Sequence, residues 1–232
     1  MTQSDNRLLN ALPQNVFSGI KSSLKPIELV FGDEVAATGQ PVKRVYFPTS
    51  GVVSLVVEMK AGGMVETAMV GRDGAANAMA AMDGNLSLHR AMVQVAGQAL
   101  AIAPDALRNL VNDYPPLRSS LLRHEQLVLA QAQQSAGCNA SHTVEERMCR
   151  WLLRIRDLTG SDEMKLTQEF LAQMLGVRRT SVSIIASTLQ RANLIDYRRG
   201  NIKIIDVGGL EECACECYQT VKSHYEQMLQ AN

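Results

Sequence analysis

Net charge is the first thing missing: Lys+Arg and Asp+Glu each total 23 in 232 residues, so overall charge names no partner. No stretch approaches the roughly 18 consecutive apolar residues that a membrane span requires, so the membrane is not an expected partner. The opening residues, MTQSDNRLLNALPQ, lack the apolar core of a secretory signal, and a cytoplasmic location is expected. There is no internal repeat and no low-complexity segment. His89, His124, His142 and His224 are scattered, with no metal-ligand pair, nucleophile elbow or phosphate-cradling loop. No catalytic residue is assigned and no enzyme is expected. Cys138, Cys149, Cys213, Cys215 and Cys217 read as reduced thiols or ligands rather than as a disulfide framework.

Between about residues 27 and 103 short apolar runs alternate with turn signals. The runs are IELVF, RVYFP, VVSLVVEM, VETAMV, AMVQVA and ALAIA; the breaks include FGDE, TGQP, PTSG, KAGG, GRDG and MDGN. Turn signals at this spacing predict a β-sandwich or barrel. AANAMAAM predicts a short helix inserted among the strands, and residues 6–24 a helical segment interrupted near Pro13.

From Pro116 the breakers vanish. PLRSSLLRHEQLVLAQAQQSAG has a helical period, with Pro116 suited to the first turn and Gly137 to the end. Two adjacent stripes run along it, Leu121, Glu125, Val128 and Ala132 beside Leu122 and Leu129, enough to serve its own domain and a helix–helix dimer seam. These six residues are the expected dimer interface. CNAS reads as a hinge, which divides the chain into residues 1–115, 116–137 and 138–232. Thr143 with Glu146 then forms a capping-box pattern, and Val144, Met148, Trp151, Leu152 and Ile155 make one buried face.

The segment LTQEFLAQMLGVRRTSVSIIASTLQ holds two short amphipathic helices around Gly176. Thr167 is placed to cap the first, and Ala172 is small where a second helix must come close. Val182, Ile185, Ala186 and Leu189 face inward, leaving Thr180, Ser183, Ile184, Ser187 and Arg191 outward, with Arg178 and Arg179 at the helix start. The spacing of Ala172, Gly176 and Val182 matches a DNA-binding helix-turn-helix, whose second helix enters the major groove. IDYR and IKIID follow as paired strands around RGN, a wing carrying Arg198, Arg199 and Lys203 for phosphate contact. From Lys165 to Asp206 seven basic residues face three acidic ones, a local excess suited to a polyanion. Double-stranded DNA is the expected partner.

These motifs resemble the Crp/Fnr superfamily of bacterial transcription regulators. VYFPTSGVVSLV and MVGRDG are similar to its N-terminal jelly roll, residues 116–137 to its dimer helix, and VEERMCRWLL with LTQEFLAQMLGVRRTSV to its winged-helix domain. The resemblance implies an α+β chain: a cyclic-nucleotide-binding-like β-roll, a long dimerisation helix and a C-terminal winged helix-turn-helix. It further implies a homodimer on a palindromic site and RNA polymerase as a partner. Arg179 matches the family arginine that reads guanine. Thr180 and Ile184 replace a glutamate and an arginine of both prototypes, so a different half-site is expected, since threonine and isoleucine suit thymine methyls. Thr167, Ser181 and Lys203 are assigned to phosphate; Arg178, Ser183, Ser187 and Arg199 complete the DNA-binding set.

For an effector the same resemblance offers little. Arg90 matches the phosphate-binding arginine of cyclic-nucleotide binders, but the glutamate is missing and Ala91 replaces the serine. No cysteine precedes Cys138, where the oxygen-sensing branch holds its iron–sulfur cluster. Haem through His89 rests on one residue. No cAMP, haem or iron–sulfur cofactor is expected. Cys213, Cys215 and Cys217 are the weak metal candidates; on one continuous helix only Cys213 and Cys217 would share a face. Two alternatives stand beside the main reading: a redox- or metal-responsive regulator using the C-terminal cysteines, and a ligand-binding module with no DNA role.

Overall fold

The structure is a computed structural model that describes residues 4–60, 62–82 and 86–230, the side chains of residues 229 and 230 excepted. Two short helices, α1 (Arg7–Asn10) and α2 (Gln14–Ile20), precede the strands β1 (Lys25–Leu29), β2 (Glu34–Ala36), β3 (Val45–Pro48), β4 (Val52–Glu58) and β5 (Met64–Val70). Helix α3 (Ala78–Met82) interrupts before β6 (Arg90–Val95) and β7 (Gly97–Ile102). Then come α4 (Pro104–Asp113), α5 (Pro115–Ser141) and α6 (Val144–Thr159). The C-terminal unit follows as β8 (Glu163–Lys165), α7 (Gln168–Leu175), α8 (Arg179–Arg191), β9 (Ile195–Arg198), β10 (Asn201–Ile204), α9 (Val207–Cys213) and α10 (Cys217–Gln230). The chain is thus a mixed helix-and-sheet protein with a sheet-rich N-terminal part and a winged helix at the C-terminus.

The N-terminal strands form two antiparallel sheets, ordered β2-β6-β4-β5 and β1-β7-β3. All six expected strands are present. VVSLVVEM is a nearly unbroken apolar run because β4 is buried on both faces. Successive side chains of a strand point to opposite faces. Val53 and Leu55 accordingly enter the core between the sheets, whereas Val52 and Val56 join a core shared with Trp151, Leu152 and Leu171 of the C-terminal unit. The two units share one hydrophobic core.

Helix α5 departs from expectation at its end. It runs 27 residues, roughly 40 Å, straight through Gly137 and the CNAS segment. A single glycine costs a helix only about 1 kcal/mol relative to alanine, and the buried Cys138 one residue on anchors the continuing turn. The chain breaks instead at His142, where the backbone becomes extended. Thr143 and Glu146 then form the expected capping box.

The partition of the α5 surface also differs from expectation. Leu121 is fully buried among Leu8, Phe17, Leu107 and Leu117, so it belongs to the N-terminal core and not to a dimer seam. Glu125 is half-buried and turned toward the Met79 backbone; Val128 and Ala132 are half-buried. Leu122 and Leu129 remain exposed, at 42% and 59%. With Gln126, Gln133 and Ala136 they form a solvent-facing stripe repeating every three or four residues. The opposite side covers the open edge of β5, where Gln131 Oε1 accepts from Met69 N at 3.1 Å.

No helix among the described residues is long and apolar enough to cross a membrane.

Candidate nucleic-acid interface

The interface is built on α7 and α8. Thr167 caps α7, its side chain accepting from Phe170 N. Gly176 ends the helix at φ +65°, a left-handed conformation that glycine adopts without strain. A Cβ there would also stand 2.8 Å from Val65 Cγ2, so the turn must be bare to press against β5. The buried face of α8 is Val182, Ala186 and Leu189, with Ile185 packed at its edge. Arg178, Arg179, Thr180, Ile184 and Ser187 are exposed, Ile184 at 68%. Arg178 occupies the N-cap position without capping by its side chain, which leaves first-turn N–H groups turned outward.

The wing completes this face. Strands β9 and β10 pair in register around Arg199 (φ +50°) and Gly200 (φ +80°), a two-residue turn of left-handed residues. Tyr197, on the inner side of β9, donates its hydroxyl to Leu166 O at 2.8 Å and fixes the wing against the start of α7. Thr167, Gln168, Arg179, Tyr197 and Arg199 thereby line one concavity; Ser183, Ser187, Gln190 and Arg191 line the next along α8. Arg178, Arg179, Arg191 and Arg199 make no salt bridge with any described residue.

Three expected contacts change character. Ser183 Oγ lies 2.6 Å from Gln168 Oε1, so this hydroxyl is engaged in holding α7 and α8 together. Ser181 is half-buried. Lys203 is not brought to the face at all. Strand alternation puts it on the outer side of the wing, paired with Glu163 at 2.9 Å and grouped with Asp196 and Arg198. Gln168 and Tyr197 escaped sequence reading; alternation along IDYR would have put Tyr197 opposite Arg198, and Gln168 follows directly on the cap Thr167.

A second set of charged groups lies between the two units. Arg154 donates to Asp73 at 2.6 Å, both side chains almost fully buried, and stacks over the Tyr225 ring at 4.3 Å. Trp151 Nε1 donates to Glu66 Oε1 at 2.9 Å, and Arg72 donates to Asp157 O. Burial pushes the Glu66 carboxyl up to about 7. Ser54 Oγ bridges Glu66 Oε2 and the Gln94 side-chain amide. His124 holds the loop after β5, its Nε2 3.1 Å from Ala75 N. Gly74 must be glycine there, because a Cβ would collide with the His124 ring.

The cysteines do not lie on one helix. The chain is extended at Ala214, so Cys213 ends α9, Cys215 sits in the connection and Cys217 starts α10. Cys215 and Cys217 come together with Cys138 and His142 instead, while Cys213 stays apart. The Cys138–Cys215 hydrogen bond favours the thiolate at Cys138, helped by the nearby Arg150 guanidinium, and with burial it holds Cys215 protonated against the pull of Arg150. Arg90, the effector candidate, is paired with Glu34 at 2.6 Å and Glu58 at 2.5 Å.

Fold and interface together define a DNA-binding transcription regulator, with a β-roll unit ahead of a winged helix-turn-helix. Residues 146–213 match the family of Crp-like helix-turn-helix domains. A CRP-like cAMP-activated global transcriptional regulator of Mycobacterium tuberculosis is 24% identical over 187 residues, covering 76% of this chain and 82% of the relative. FixK2 from Bradyrhizobium japonicum superimposes with a TM-score of 0.70 at 16% identity, over 83% of this chain and 98% of that one. TTHA1359, a Crp/Fnr-family regulator from Thermus thermophilus, does so with a TM-score of 0.66 at 23% identity, over 82% and 98%. Residues 146–213 thus carry a Crp-like helix-turn-helix domain, and the chain as a whole is similar to Crp/Fnr-type transcription regulators.

Proposed function

We propose that the chain acts in the cytoplasm as a homodimer that reads a palindromic DNA site, one α8 in each of two successive major grooves. Half-sites then lie about 34 Å apart, one helical turn. The observation that carries this is the exposed Arg179 at the start of α8, without a salt bridge among the described residues, beside Arg178 and Arg199, with Arg191 at the far end of the same helix. An arginine there pairs with guanine O6 and N7 in bidentate fashion. Thr180 and Ile184 flank it with methyl groups suited to thymine, while Thr167, Arg178 and Arg199 meet phosphates. Selection of bound DNA from a random pool tests this. The wild-type chain should return a palindrome with guanine in each half-site, and Arg179→Ala should lose the preference for that guanine; an unchanged motif refutes the role of Arg179.

The dimer forms along the exposed stripe of α5, centred on Leu122 and Leu129. Leu129→Glu should yield a monomer by native mass, and an unchanged mass would remove this seam. RNA polymerase is the further partner. The relatives from Mycobacterium tuberculosis are described as cAMP-activated, but here the matching arginine, Arg90, is neutralised by Glu34 and Glu58. We therefore infer regulation by something other than cAMP; titration calorimetry with cAMP should show no binding.

A further inference from the structure

The end of α5 and the start of α10 meet at four side chains carrying metal-ligand atoms. Cys138 and His142 stand one turn apart at the end of α5, and Cys215, in the connection after α9, and Cys217, the first residue of α10, flank Glu216. The sulfurs of Cys138, Cys215 and Cys217 and a His142 ring nitrogen all lie within 4.8 Å of one another. Cys138 Sγ is 3.5 Å from Cys215 Sγ, and Cys217 Sγ is 3.6 Å from His142 Nδ1. Zinc binds sulfur at about 2.3 Å and imidazole nitrogen at about 2.0–2.1 Å, so ligand atoms at the corners of its tetrahedron stand roughly 3.4–3.8 Å apart. Both of these pairs already have that separation.

We propose that Cys138, His142, Cys215 and Cys217 form a closed tetrahedral zinc site that ties the end of α5 to the junction of α9 and α10.

The surroundings fit an occupied site. His142 Nε2 lies 3.1 Å from Glu216 Oε2, which leaves Nδ1 facing the sulfurs; a carboxylate behind a ligating histidine is the usual support for zinc. Gln134 Nε2 donates to Cys217 Sγ at 3.0 Å, a bond that favours the thiolate. Three thiolates around one Zn²⁺ carry a net negative charge. Arg150, whose Nε has no partner among the described residues, lies where its charge acts on both Cys138 and Cys215. The three cysteines are at most 4% exposed, so with four protein ligands no position remains for substrate water, and the site is structural. It differs from a buried-thiol packing cluster in bringing a histidine with its own carboxylate into the same sphere. Binding requires only that the thiol protons leave to solvent as Zn²⁺ enters.

In consequence the metal links α5, which bears the proposed dimer seam, to the helices packed behind the winged helix. α10 lies along both α5 and α6, and α9 packs on α6.

The test is elemental analysis of reduced, full-length protein, followed by titration of the chelator-stripped protein with Zn²⁺ and Co²⁺. We expect one zinc per chain and, with Co²⁺, the visible bands of a tetrahedral three-sulfur, one-nitrogen site. Cys138→Ser and Cys215→Ser should lose the metal, and Cys149→Ser and Cys213→Ser should keep it. Glu216→Gln should retain the fold and weaken zinc by about 10–100-fold. If a ligand variant does not fold, the cobalt spectrum of the unaltered chain decides alone. The proposal is overturned by reduced protein that takes up neither metal, by zinc retained in Cys215→Ser, or by a Cys138–Cys215 disulfide in protein purified without oxidant.

Discussion

The DNA-facing surface and the joint between the two units are both rich in arginine, but they treat it oppositely. At the joint Arg154 is buried against Asp73 and Tyr225, and Arg72 is spanned to Asp157 O. On α8 and the wing Arg178, Arg179, Arg191 and Arg199 are left without a salt bridge among the described residues. A buried cation must find a counter-charge or hydrogen-bond acceptors within the chain, because desolvation otherwise costs several kcal/mol. An exposed one is held by water until a polyanion replaces that water. Pairing within the chain therefore separates arginines that hold the molecule together from those kept for a partner. Lys203 falls on the paired side of that division, through Glu163.

The comparison can be broken most forcefully at the joint. Asp73→Ala strands the Arg154 charge in the interior and should cost about 3–5 kcal/mol of stability, read by denaturant unfolding; a loss under about 1 kcal/mol would mean the pair is exposed in solution. Glu66 gives the next effect, through pH. Its folded pKa of about 7 lies above the ordinary 4.5, so the folded state holds the proton more tightly. That stabilisation is complete below about pH 4.5 and disappears as pH rises through 7. The difference of about 2.5 units corresponds to about 3 kcal/mol as an order of magnitude. Glu66→Gln should therefore gain stability relative to the unaltered chain at pH 8 and not at pH 4; parallel stability curves across that range would contradict a buried, protonated Glu66.

On the other side of the comparison, Arg179→Ala should leave the melting temperature unchanged and remove about 1–3 kcal/mol of base discrimination, measured by competition between selected and scrambled duplexes. The smallest effect belongs to Arg199→Gly. Relief of a left-handed φ at a non-glycine residue should add about 1 kcal/mol of stability. The lost cation should weaken binding to all sequences alike and lower the salt dependence of binding by about one unit. A sequence-selective loss would assign Arg199 to base contact.

Much of the interface was legible in advance because its signals are local. The Ala172, Gly176 and Val182 spacing, the Thr167 cap and the RGN turn each depend on neighbours within a few residues. Six N-terminal strands and the two of the wing were legible for the same reason, apolar runs and the turns that bound them being local, whereas the three-residue β2 and β8 carried no such run. The dimer stripe was legible only in part. Leu121 and Leu122 are adjacent and chemically identical, and only the position of the N-terminal core decides that the first is enclosed and the second exposed. The end of α5 was missed because Gly137 carries a local stop signal that the buried Cys138 overrides.

The sequence by itself determined the helix-turn-helix, its arginines and the positions of most strands along the chain, since periodicity, capping and turn chemistry act over one or two turns of chain. Only the tertiary structure decided which charges are paired and which are free, and it brought Cys138 beside Cys215 across 77 positions of chain. Periodicity carries no information about such a meeting; it follows from how α10 packs along α5 once both have formed.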